Sequence, residues 1–149
     1  MRKRLLLGIA TLAAAGAAVP ALAASQNAAQ TEQMFDEGVV NCESGMSGGT
    51  PTQGFAVIKL SSDGTVISAE VSLKDAVPNA TYAVHIDQTP GGLACRASVG
   101  TIQTNGQGNG NASVSAPLAP GTTDAAVWAN TIGFPIDTQG TPDYVFGNK

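Results

Sequence analysis

His85 and Asp87 are the pair best spaced for chemistry in this 149-residue chain. Two residues apart on an extended segment they share a face, where an imidazole and a carboxylate can hold a metal or act as a base with its orienter. His85 is the sole histidine, so any metal would need its remaining ligands from other residue types elsewhere in the chain. The plainer reading is a surface histidine ending a strand, on the side opposite Tyr82 and Val84. Gly45-Met46-Ser47-Gly48-Gly49 has the G-x-S-x-G form of a nucleophile elbow, with Asp63, Asp75 and His85 following in hydrolase order. An elbow needs a strand and a helix to pinch the serine beside an oxyanion hole, and the Gly, Ser, Thr and Pro around Ser47 predict a loop. Asn105-Gly106-Gln107-Gly108-Asn109-Gly110-Asn111 offers carbonyl oxygens of the kind calcium takes but no carboxylate, so it reads as a glycine-rich hairpin connection. No catalytic residue, metal or cofactor is assigned from these patterns, and a non-enzyme is expected.

Gln88-Thr89-Pro90-Gly91-Gly92-Leu93-Ala94-Cys95 reads as an exposed loop, with Gln88 and Leu93 as candidate binding residues and Leu93 as its apolar anchor. Tyr144 and Phe146 share a face of the terminal segment, fit either to stack on sugar rings or to close a core. Trp128 falls in a late strand, where a large aromatic is expected inside. Cys42 and Cys95 are an even count without CxxC spacing, and in an oxidising compartment they are expected to form a structural disulfide. Closing that loop would remove roughly 4 kcal/mol of unfolded-state entropy.

The elements that must position these residues read as strands. Phe55 to Leu60 is apolar, Ser62-Asp63-Gly64 is a turn, and Thr65 to Leu73 alternates Ile67, Ala69, Val71 and Leu73 against polar neighbours. Thr81 to Ile86 puts Tyr82, Val84 and Ile86 on one side. Val99 to Thr104 and Asn111 to Ala116 flank a turn at Asn105-Gly106, and Asp124 to Thr131 and Tyr144 to Phe146 complete about seven strands. Ser44 to Gly54 reads as a loop, and 24 to 38 as a short helix or a tail. The expected fold is all-β, an antiparallel immunoglobulin-like β-sandwich over residues 54–149, with a barrel as the less favoured alternative.

The N-terminus supplies an address. Arg2, Lys3 and Arg4 precede an apolar run from Leu5 to Val19, and Ala21-Leu22-Ala23 has the small residues a signal peptidase reads. Residues 1–23 are expected to be a cleaved signal peptide and 24–53 an N-terminal segment before the domain. The leader holds three of the seven basic residues, leaving four against eleven acidic ones, a balance of −7. Such an acidic chain disfavours nucleic acid and anionic membrane partners. About 125 residues remain, enough for one domain.

The run Pro78-Asn79-Ala80-Thr81-Tyr82-Ala83-Val84-His85-Ile86, then Cys95, then Gly100 to Gly106 and Gly108-Asn109-Gly110, resembles small exported bacterial proteins with an immunoglobulin-like sandwich and no assigned activity. The resemblance covers residues 54 to 130 and implies a fold and an address, but no catalytic residue. Val84-His85 on a strand, a downstream cysteine and Gly-rich loops also resemble copper-zinc superoxide dismutases. Those enzymes need several histidines, so with His85 alone the resemblance implies a similar sandwich without that activity. The expected function is a secreted, non-catalytic domain that binds a protein or a glycan at the cell envelope or in the medium. The alternative is an inhibitor of a secreted hydrolase built on the Leu93 loop.

Overall fold

A computed structural model describes residues 28–36, 39–41, 45–89, 98–142 and 144–145. Among them there is no helix and every strand pairing is antiparallel. In chain order the strands are β1 (Gln30–Asp36), β2 (Val39–Asn41), β3 (Gly45–Ser47), β4 (Thr50–Leu60), β5 (Val66–Leu73) and β6 (Thr81–Thr89). They continue as β7 (Ser98–Gln103), β8 (Gly110–Pro117), β9 (Asp124–Thr131), β10 (Thr138–Gly140) and β11 (Tyr144–Val145). Eight of them form one path, β7-β6-β9-β10-β1-β4-β5-β8, with β11 also on β9 and β2–β3 as a separate hairpin.

Period-two alternation dictates which residues go inside. On β5, Ile67, Ala69, Val71 and Leu73 are buried, and on β6 Tyr82, Val84 and Ile86 join them, as the sequence pattern predicts. Met34, Ile58, Ile102 and Val127 fill the space between. Each such aliphatic side chain contributes about 1.5–3 kcal/mol on leaving water. The β4–β5 register sets Phe55 against Ser72 and Val57 against Glu70 on the outer face.

Four expectations change. Residues 30–36 form a strand, neither helix nor tail, and β1 lies between β10 and β4 with Met34 in the core. The stretch read as a separate N-terminal segment thus contributes to the main sheet. The Ser44–Gly54 loop contains β3 and the start of β4, because β1 pairs with β4 as far back as Thr50. The segment begun at Thr81 runs to Thr89, since β9 pairs with it along its whole length.

The fourth change concerns closure. The turn at Asn105-Gly106 predicts a β7–β8 hairpin, yet β7 pairs with β6 and β8 with β5. Residues 104–109 therefore carry the chain from one end of the path to the other. The two ends meet there: a methyl added at Gly100 would lie 2.6 Å from Val114 Cγ1, and one at Gly110 would lie 2.5 Å from Ile102 Cγ2. The sheet is one nearly closed, barrel-like layer, which leaves the sandwich description less distinct than the sequence pattern suggested.

Candidate functional site

β6 and β9 position His85 and Asp87. Both point away from the core, as the alternation requires, but neither is at the surface: His85 is 7% and Asp87 1% exposed. His85 also sits in mid-strand, so the surface histidine ending a strand is not what forms. Its cross-strand partner is Trp128, and the two rings stack with centroids 3.9 Å apart and planes 6° from parallel. Trp128 is half-buried on this outer face, not in the core, because Ala125, Val127 and Ala129 occupy the inward positions of β9.

The polar atoms are held as closely. The indole Nε1–H donates to Asp87 Oδ2 at 2.7 Å, and His85 Nε2 lies 3.1 Å from Asn130 Oδ1, where the imidazole is the donor. The shared face foreseen for His85 and Asp87 exists, but Trp128 takes one oxygen of the carboxylate. Among the described residues no group of three His, Cys, Asp or Glu side chains comes together as metal ligands would.

The other sequence candidates separate. Ser47 ends a short strand, with no helix after it, and Asp63 lies in the β4–β5 turn. There Ser61 Oγ and Thr65 donate to Asp63 and hold its carboxyl below the usual range. Gln88 is in β6, not a loop, and is 1% exposed. Its Nε2 donates to Pro117 O at 2.9 Å, and its Oε1 accepts from Ala119 N at 2.7 Å and from Thr122 Oγ1 at 3.1 Å. Gln88 thus pins the β8–β9 connection from inside. Leu93, Cys42, Cys95 and Phe146 lie outside the described residues.

What the sequence reading passed over is the β9–β10 loop. Its three large apolar residues face water: Ile132 is 61%, Phe134 94% and Ile136 76% exposed. The loop base is nonetheless fixed. Thr131 N donates to Asp137 O at 3.0 Å, Thr131 Oγ1 to Pro135 O at 2.8 Å, and Ile132 N to Thr81 O at 2.8 Å. Asp137 N donates to Thr131 Oγ1 at 2.9 Å, and the Tyr82 hydroxyl donates to the Asp137 carboxylate. Tyr82 in turn accepts from Val77 N at 2.9 Å. Burial, reinforced by the hydrogen bond to Asp137, pushes the Tyr82 phenol well above its ordinary range. The signal in the sequence was Ile132-Gly133-Phe134-Pro135-Ile136, an apolar run broken by turn residues and therefore unable to bury itself as a strand. Neither protein-family models, nor curated proteins, nor solved structures give a match to this chain.

Proposed function

We propose that this protein is an exported, non-catalytic binding module that docks a partner protein through the Ile132–Ile136 loop. The observation that carries the reading is the exposure of Ile132, Phe134 and Ile136 on a loop whose base is hydrogen-bonded throughout. Water-facing apolar groups cost free energy unless a partner covers them, and a fixed base means little ordering entropy is lost on docking. Three hydrocarbon side chains without a polar group between them favour an apolar protein groove over a glycan at this site. The acidic balance of the chain beyond its leader-like residues disfavours an anionic lipid surface.

The immunoglobulin-like sandwich belongs to the same proposal. Folded as β7-β6-β9-β10 facing β1-β4-β5-β8, the strand path would make two four-stranded layers. Export rests on the basic and apolar N-terminal residues, and a Cys42–Cys95 bond on the cysteine count.

The test is capture of partners from the producing cell's culture medium and wall fraction, with mass spectrometry of what is retained. Wild-type protein is expected to hold one protein stoichiometrically, Phe134→Ser to lose it and Leu93→Ser to keep it. Capture that is indifferent to Phe134 overturns the assignment. One observation favours the inhibitor as a second reading: Phe134, at 94% exposure on a pinned loop, is presented as an inhibitor presents an anchor residue. In that case the retained protein is a hydrolase whose activity falls in step with occupancy.

A further inference from the structure

The outer face of β4, β5 and β8 carries a hollow of about 240 Å³, open on one side. Its floor and walls are set by cross-strand register. Phe55, Ser72 and Asn111 lie in one row across the three strands, and Glu70 and Ser113 pair in the next row. Phe55 is 40% exposed, so part of its ring is offered to solvent. Rows are about 7 Å apart along a strand direction and strands about 4.8 Å apart across it, so the groups surround a space one ring wide.

We propose that this hollow binds one pyranose ring of a neutral or cationic saccharide, at a site separate from the Ile132–Ile136 loop and independent of its role. A sugar ring has one C–H face and a rim of hydroxyls. The hollow answers with one aromatic surface and a rim of hydroxyl, amide and carboxylate groups that can both donate and accept. The volume falls below the roughly 300 Å³ at which pockets for drug-sized ligands begin, which suits a single ring. Among the described residues Glu70 is the one ionisable residue lining the space, and the chain as a whole carries net negative charge, so phosphate- or carboxylate-bearing ligands are repelled. An extended peptide is disfavoured because β8 pairs with β5 on one side, and on the other its edge is crowded by β7, where Gly100 faces Val114 and Gly110 faces Ile102.

The experiment is a titration of the isotope-labelled protein, as processed by its host, with methyl β-glucoside, glucosamine and galacturonate, read as amide chemical shifts. The expected result is saturable shifts in the millimolar range with the first two sugars, centred on Phe55, Ser72 and Asn111, and none with galacturonate. Phe55→Ala should weaken binding by about tenfold while Phe55→Tyr retains it. Asn111→Ala should also weaken it, and Phe134→Ser should leave it unchanged. The spectra themselves report whether each variant is folded. Absence of saturation with both neutral and amino sugar, equal binding of galacturonate, or indifference to Phe55→Ala would each overturn the proposal.

Discussion

Tyr82 joins the core to the exposed loop. Its ring is fully buried, its hydroxyl donates to Asp137 at the loop base, and it accepts from Val77 N. Because burial raises the phenol's folded-state pKa above the unfolded value of about 10, the native state holds this proton more tightly than the unfolded chain does. The resulting stability is fully present below about pH 10 and is lost as pH rises through the raised folded value. Tyr82→Phe should therefore cost about 1–3 kcal/mol at neutral pH, since Val77 N–H and the Asp137 carboxylate both lose a partner. In urea unfolding, the gap between wild type and variant should shrink above about pH 10. A gap that stays constant through that window would show that Tyr82 is not the linked group. The sequence placed Tyr82 inside correctly, through the alternation with Val84 and Ile86. Its link to Asp137 lies 55 positions away along the chain and follows from no local pattern.

At the scale of elements, strands with their own period were legible and strands defined by their neighbours were not. β5 announces itself with four alternating apolar residues, whereas β1 reads Gln-Thr-Glu-Gln-Met-Phe-Asp and is a strand because β10 and β4 pair with it. The same limit governs the candidate site. The sequence put His85 and Asp87 on one face but could not place Trp128 over them, since that contact depends on the β6–β9 register. Cross-strand aromatic pairs typically contribute about 0.5–1.5 kcal/mol beyond area burial. A double-mutant cycle with His85→Ala and Trp128→Ala should return a coupling in that range, of about 0.5–1.5 kcal/mol. Trp128 is the only tryptophan, so the members that lack it emit no tryptophan fluorescence, and unfolding of all four is followed by far-ultraviolet circular dichroism. Additive single-mutant effects would mean that the two rings merely lie together without stabilising each other.

For the molecule as a whole the deciding feature is closure, which no single segment encodes. Gly110 reads in the sequence as part of a glycine-rich turn and Gly100 as a strand residue, but the use of both is to let β7 and β8 approach where the two ends of the sheet meet. A Cβ at Gly110 would lie 2.5 Å from Ile102 Cγ2 and 2.8 Å from the Gln103 carbonyl oxygen. The backbone oxygen cannot turn aside as a flexible side chain would, so the strands must separate. Gly110→Ala is expected to destabilise the protein by about 1–3 kcal/mol, as overpacking does elsewhere. It should also raise hydrogen exchange selectively in β7 and β8, whose edges would part. Gly106→Ala is the control: its added methyl meets only Asn79 Oδ1 at 3.9 Å, an ordinary contact. That variant should be neutral or slightly stabilising, because alanine restricts the unfolded chain more than glycine. If both variants unfold at the same denaturant concentration, the ends of the sheet are not packed together and the open two-layered arrangement becomes the better description. If only Gly110→Ala fails, closure holds the β4–β5–β8 face in shape, and with it the register that places Phe55, Ser72 and Asn111 in one row.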